Sequence, residues 1–238
     1  MASTGSPPPV ILVTGFAPAA AGPADPTGDL LTMIATGPPV SAEVRTQLLP
    51  ADADGALLKA VEAMDRLLPD AVIALGLAGG TGEIVIERVA LNLHERADGA
   101  RPAGPKNEPI DAAGPAAYFS TLPVDVIAER LKRGDVPASV SNAATTEIGN
   151  SLFYALLHYV ALRGQETWFR RRPPAGLISR IGFLRIPPAA DRRARMRARE
   201  AGRTIPLDTA LRGVTLAIDA AAAYLAAEAA PDSRLIPS

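Results

Sequence analysis

A buried-strand pattern, a short polar turn and an amphipathic helix follow one another in SVSNAATTEIGNSLFYALLHYVA, residues 139–161. α/β enzymes commonly present a nucleophile at such a turn, where the first N–H groups of the helix can hold an oxyanion. Here the residue just before the helix is Gly149, which has no side chain to attack with. Thr145, Thr146 and Ser151 place hydroxyls nearby, but a hydroxyl needs a general base beside it. No histidine is placed for that task. His158 falls mid-helix and reads as a half-buried packing residue, and His94 follows a strand some fifty residues upstream. Two histidines do not complete a His-rich zinc site, and the absence of cysteine excludes disulfides, thiolate metal sites and a cysteine nucleophile. The Gly79-Gly80 turn lacks both the Lys-Ser/Thr of a P-loop and the spacing of a dinucleotide fingerprint. No cofactor and no metal are expected.

Several elements must position this turn. VILVTGF (10–16) is a continuous apolar run, as for a strand buried on both faces, and a helix begins near Thr27. AEVRTQLLP is an alternating strand. The segment after it carries apolar residues at Leu57, Leu58, Val61, Met64, Leu67 and Leu68, a helical stripe stopped by Pro69. AVIALGLAGG then reads as a buried strand and EIVIERVALNL (83–93) as an alternating one, whereas His94 to Ala113 reads as loop. PVDVIAERLKRGD is helical, PASVSN is a short strand, and the helix after Gly149 has Asn150 or Ser151 as its capping candidate. AGLISRIGFLRIP supplies a strand and PLDTALRGVTLAIDAAAAYL the closing helix. The alternation predicts an α/β fold, a mixed and mostly parallel twisted sheet with helices on both faces. The expected organisation is a flexible N-terminus (1–9), one domain (10–229) and a C-terminal tail (230–238).

With 48% hydrophobic and 21% charged residues, 238 residues suffice for one large core. A net charge of −1 gives no global basic field for nucleic acid or an anionic membrane, and DRRARMRAREAGR (191–203) reads as a solvated charge run. The opening residues lack a signal-peptide pattern, and Asp219 and Glu228 interrupt the Ala-rich end, so a soluble cytoplasmic protein is expected.

The motifs ILVTGFAP, PDAVIALGLAGG, IERVALN, GPAAYFSTLP, PASVSN, FYALLHY and GFLRIP, in this order, span nearly the whole chain. In them the chain resembles pyroglutamyl peptidase I, the pyrrolidone-carboxylate peptidases of cysteine peptidase family C15. That resemblance implies a three-layer αβα sandwich and a Cys-His pair assisted by a glutamate that removes an N-terminal pyroglutamate. The family's glutamate falls on Glu87. Its nucleophile motif, Ser-x-Thr-Ala-Gly-Thr-Phe-Val-Cys-Asn, aligns with SNAATTEIGN, which puts Gly149 at the cysteine position. Its Gly-Phe-Ile-His-x-Pro strand aligns with GFLRIP, which puts Arg185 at the histidine position. The resemblance also implies a substrate-binding wall at Phe16, Ala19, Leu77, Glu147 and Ile148. Phe16 keeps an aromatic ring there, while Ala19 and Glu147 replace aromatic residues and would leave a pyroglutamyl ring unclamped.

Glu87, Glu147 and Arg185 in one cleft would form either a buried salt bridge or a polar site for a zwitterionic ligand. The expectation is therefore a family member without peptidase chemistry that binds a small acyl-amino compound or a protein partner. One alternative is a repurposed hydrolase or cyclase using Glu87, Glu147 and Arg185; another is conventional removal of pyroglutamate. Self-association as a homodimer or homotetramer is expected from the resemblance, with no nucleic-acid or membrane partner.

Overall fold

The computed structural model describes residues 7–18, 25–79, 81–95, 107–143, 148–168, 179–189 and 204–229. Six strands make the central sheet: β1 (Val10–Phe16), β2 (Glu43–Leu49), β3 (Ala71–Leu77), β4 (Ile84–Glu87), β9 (Ala138–Ser141) and β10 (Arg180–Ile186). Their order is β2-β1-β3-β10-β4-β9, and every neighbouring pair is parallel except β10 with β4. Two small antiparallel pairs lie outside it, β5 (Val89–Leu91) with β8 (Ala117–Phe119), and β6 (His94–Glu95) with β7 (Asn107–Glu108).

Helices cover both faces. Helices α1 (Thr27–Thr36), α3 (Val124–Arg133) and α5 (Leu207–Ala229) bury Leu30, Ile127 and Val214 against Ile11, Ile73, Leu184 and Ile86. On the other face α2 (Ala53–Leu67) and α4 (Ile148–Trp168) pack Ala60, Met64, Phe153 and Leu156 onto Leu12, Val72, Ile181 and Phe183. The strands β1 and β3 therefore have apolar side chains in both directions, which is why their sequences run without alternation. By length and composition α5 is apolar enough to cross a membrane; in the fold it packs on α1 and α3 and buries Val214 and Ile218 in the core shared with the sheet. Ser41 donates to Asp219 on α5, and Arg180 pairs with Glu228 near its end, so the charges that break the apolar run have partners.

Four sequence expectations change. The 83–93 strand is two: at Arg88 the chain leaves the main sheet, the Arg88 N–H donating to Ser141 and its guanidinium pairing with Asp125 and Asn142. The buried stripe of α2 is centred on Ala56, Ala60, Ala63 and Met64, whereas Leu58 is 60% exposed and Leu68 turns left-handed, half-exposed, beyond the helix end. Small residues there let the helix approach the sheet, a demand that hydrophobicity alone does not reveal. The 94–113 loop contains the β6/β7 pairing. Neither Asn150 nor Ser151 caps α4, because both lie inside it, downstream of Ile148. The 191–203 run and the 230–238 tail lie outside the described residues.

Candidate functional site

Thr14, Ala74, Phe183, Glu87 and Ser141 stand in register across five strands, β1, β3, β10, β4 and β9. Side chains alternate along a strand, so Phe183, Arg185 and Glu87 all project toward α2 and α4. The antiparallel contact of β10 with β4 then sets Arg185 diagonally across from Glu87. Arg185 Nε donates to Glu87 Oε1. Glu87 is buried and Arg185 partly buried, with side-chain exposure of 4% and 15%. Among the described residues two buried side-chain polar atoms lack a partner, Glu87 Oε2 and Thr14 Oγ1. Ala74 and Phe183 separate them, so they do not form one site.

The Phe183 ring connects this pair to the start of α4. It stacks on Phe153 with centroids 5.8 Å apart. A Cβ placed on Gly149 would come within 2.6 Å of Phe183 Cζ, and one placed on Gly76 would come equally close. The ring tip thus fills the space between β3 and the first turn of α4, where a side chain at position 149 would have to begin. The structure brings Glu87, Arg185 and Gly149 together around Phe183. Sequence reasoning missed Phe183, although it lies in GFLRIP; only the proximity of two glycines from distant segments exposes its role. It missed Asn150 as well. This buried amide accepts from the Leu91 N–H and donates to the Leu91 and Leu93 carbonyls, fastening the strand after Glu87 to α4.

The predicted substrate wall is only partly assembled. Phe16 ends β1 buried, on the same face of the sheet as Arg185. Alternation turns Leu77 to the opposite face, beside Ile186. Ile148 lines a cavity of about 470 Å³ with Asp52, Asp54, His94, Ile110 and Ser151. Ala19, Glu147, Thr145 and Thr146 lie outside the described residues, so two of the three charged groups expected together are seen to meet.

His158 does more than pack. Its Nδ1 lies 2.7 Å from the Tyr118 hydroxyl and its Nε2 lies 3.0 Å from Asp111 Oδ2, while its ring stacks on Tyr154. Asn92 holds Asp111 from behind through both backbone groups. The Ala113 N–H chiefly, and His158 beside it, hold the Asp111 carboxyl below the usual aspartate range. A depressed folded-state pKa adds stability that is complete above the unfolded value, near pH 4, and lost as pH falls through the folded one. Asp111→Asn is therefore expected to lower the melting temperature at pH 7 and to lose that deficit as the pH drops below 4. A deficit that stays constant across that range, measured by thermal denaturation, would show that the carboxylate charge is not what matters.

A sequence model of the pyroglutamyl peptidase family matches residues 10–224. The chain belongs to the pyroglutamyl peptidase family. It is 39% identical over 188 residues to pyrrolidone-carboxylate peptidase 1 of Ralstonia nicotianae, covering 75% of this chain and 78% of that protein. It is 34% identical over 212 residues to pyrrolidone-carboxylate peptidase 2 of Photorhabdus laumondii subsp. laumondii, covering 89% and 90%. Its fold is similar to the crystal structure of pyroglutamyl peptidase I from Bacillus amyloliquefaciens, with a TM-score of 0.76, 27% identity and coverage of 92% and 97%. The αβα arrangement of this pyroglutamyl peptidase family member is thus the one its sequence motifs implied.

Proposed function

We propose that this protein keeps the pyroglutamyl peptidase fold without the peptidase chemistry and acts by binding a small amino-acid derivative. The observation that carries the reading is the partner of Glu87. A carboxylate in that position can orient an imidazole base, but here it holds Arg185, whose guanidinium offers donors and no acceptor and so cannot serve as the base for a nucleophile. Two further facts support it. The chain has no cysteine, and the Phe183 ring occupies the space beside Gly149. The backbone N–H groups of a helix N-terminus such as that of α4 suit an anionic group without supplying anything to attack a carbonyl.

The test is hydrolysis of a fluorogenic pyroglutamyl amide by purified protein at high concentration. The expected rate is that of buffer alone. Turnover that Glu87→Ala abolishes would overturn the reading and return the protein to conventional peptidase activity.

A further inference from the structure

We propose that Glu87 and Arg185 together recognise a free, zwitterionic α-amino acid, its ammonium on Glu87 Oε2 and its carboxylate on the outer nitrogens of Arg185. The inference rests on the non-peptidase reading above and names the ligand class of that site. Arginine and carboxylate fit each other best through two parallel hydrogen bonds. This pair makes one, from Nε to Oε1. Each partner is left half used. Glu87 Oε2 is buried and has no donor, and a buried charged acceptor without one is costly enough to call for an occupant. Arg185 keeps the four N–H donors on its two outer nitrogens, and among the described residues Glu87 is the only polar partner recorded for it.

The complement of this arrangement is determined by charge. The pair is neutral overall but divided, with an unpartnered buried acceptor at one end and, among the described residues, donors that Glu87 does not use at the other. A lone anion would meet Arg185 and face the Glu87 carboxylate. A divalent cation would require several oxygen ligands and would stand beside the guanidinium. A molecule carrying an ammonium and a carboxylate on one carbon satisfies both ends and adds no net charge. Phe183 sits in register opposite Glu87 and precedes Arg185 by two residues on the same face, so a buried aromatic ring borders the pair.

The experiment is isothermal titration of the full chain with the common free amino acids, followed by the N-acetyl and carboxamide forms of any that bind. At least one free amino acid is expected to bind, and each blocked form is expected to bind about ten- to a hundredfold more weakly, since each lacks one charge-assisted contact. Glu87→Gln and Arg185→Lys should weaken binding by similar factors. The ligand comparison uses the unaltered protein, so it decides the matter even where a variant fails to fold. Equal binding of blocked and free forms, or no binding by any free amino acid at millimolar concentration, would overturn the site. Neither result touches the non-peptidase reading, which falls separately if the pyroglutamyl amide is hydrolysed.

Discussion

The double variant Gly149→Cys, Arg185→His is expected to hydrolyse no pyroglutamyl amide and to unfold at lower urea concentration than the parent. The two changes supply the residue types of a cysteine peptidase at the positions that the motif resemblance assigns to them, so composition alone would predict rescue. Packing predicts otherwise. The first atom of a side chain at position 149 would meet Phe183 Cζ at 2.6 Å, well inside contact distance. The ring is held on two further sides, its tip lying against Gly76 of β3, where an added Cβ would also clash, and its face stacking on Phe153. Overpacking of this kind costs about 1–3 kcal/mol, and the sulfur would reach the cleft only if the ring left its rotamer. Adding Phe183→Leu should recover most of the lost stability by shortening the obstructing group. Strong turnover by the double variant, with Phe183 intact, would show that the ring yields readily and that the closed site is a misreading.

Much of this was legible in the sequence because fold and motifs leave periodic or local signals. Continuous apolar runs marked β1 and β3, and the Thr27 start of α1 and the stop of α2 near Pro69 followed from local chemistry. The charged pair was legible in kind, since Glu87 and Arg185 each sat in a recognisable motif. What escaped was relational. Asn150 looks like a cap because asparagine suits that role, yet its amide is used across the structure on Leu91 and Leu93. His158 looks like packing because it lies mid-helix among apolar residues, yet two polar partners from a distant loop and strand converge on it. The significance of Gly149 was read as a missing side chain. In the fold it is also a space, already taken by a ring thirty-four residues further along the chain.

Arg185→Ala is expected to be among the most damaging single changes in the protein, at about 3–5 kcal/mol, because it leaves a buried carboxylate without its counter-charge. An exposed ion pair would cost at most about 1 kcal/mol, and burial decides between the two cases. Glu87 is 4% exposed and buried, while Arg185 is 15% exposed and only partly so, which places the carboxylate nearer the buried case. The converse follows from the same physics. Replacing both residues, Glu87→Leu with Arg185→Leu, removes two desolvated charges at once and should leave stability near that of the parent or above it. Urea denaturation of the parent, the two single leucine variants and the double variant forms a cycle whose coupling energy should be large and favourable to the pair. Single variants within about 1 kcal/mol of the parent would mean that water reaches the carboxylate and that Glu87 Oε2 is hydrated. A stable double variant that binds no amino acid would have the opposite meaning: the chain retains the charged pair for recognition, since its stability does not require it.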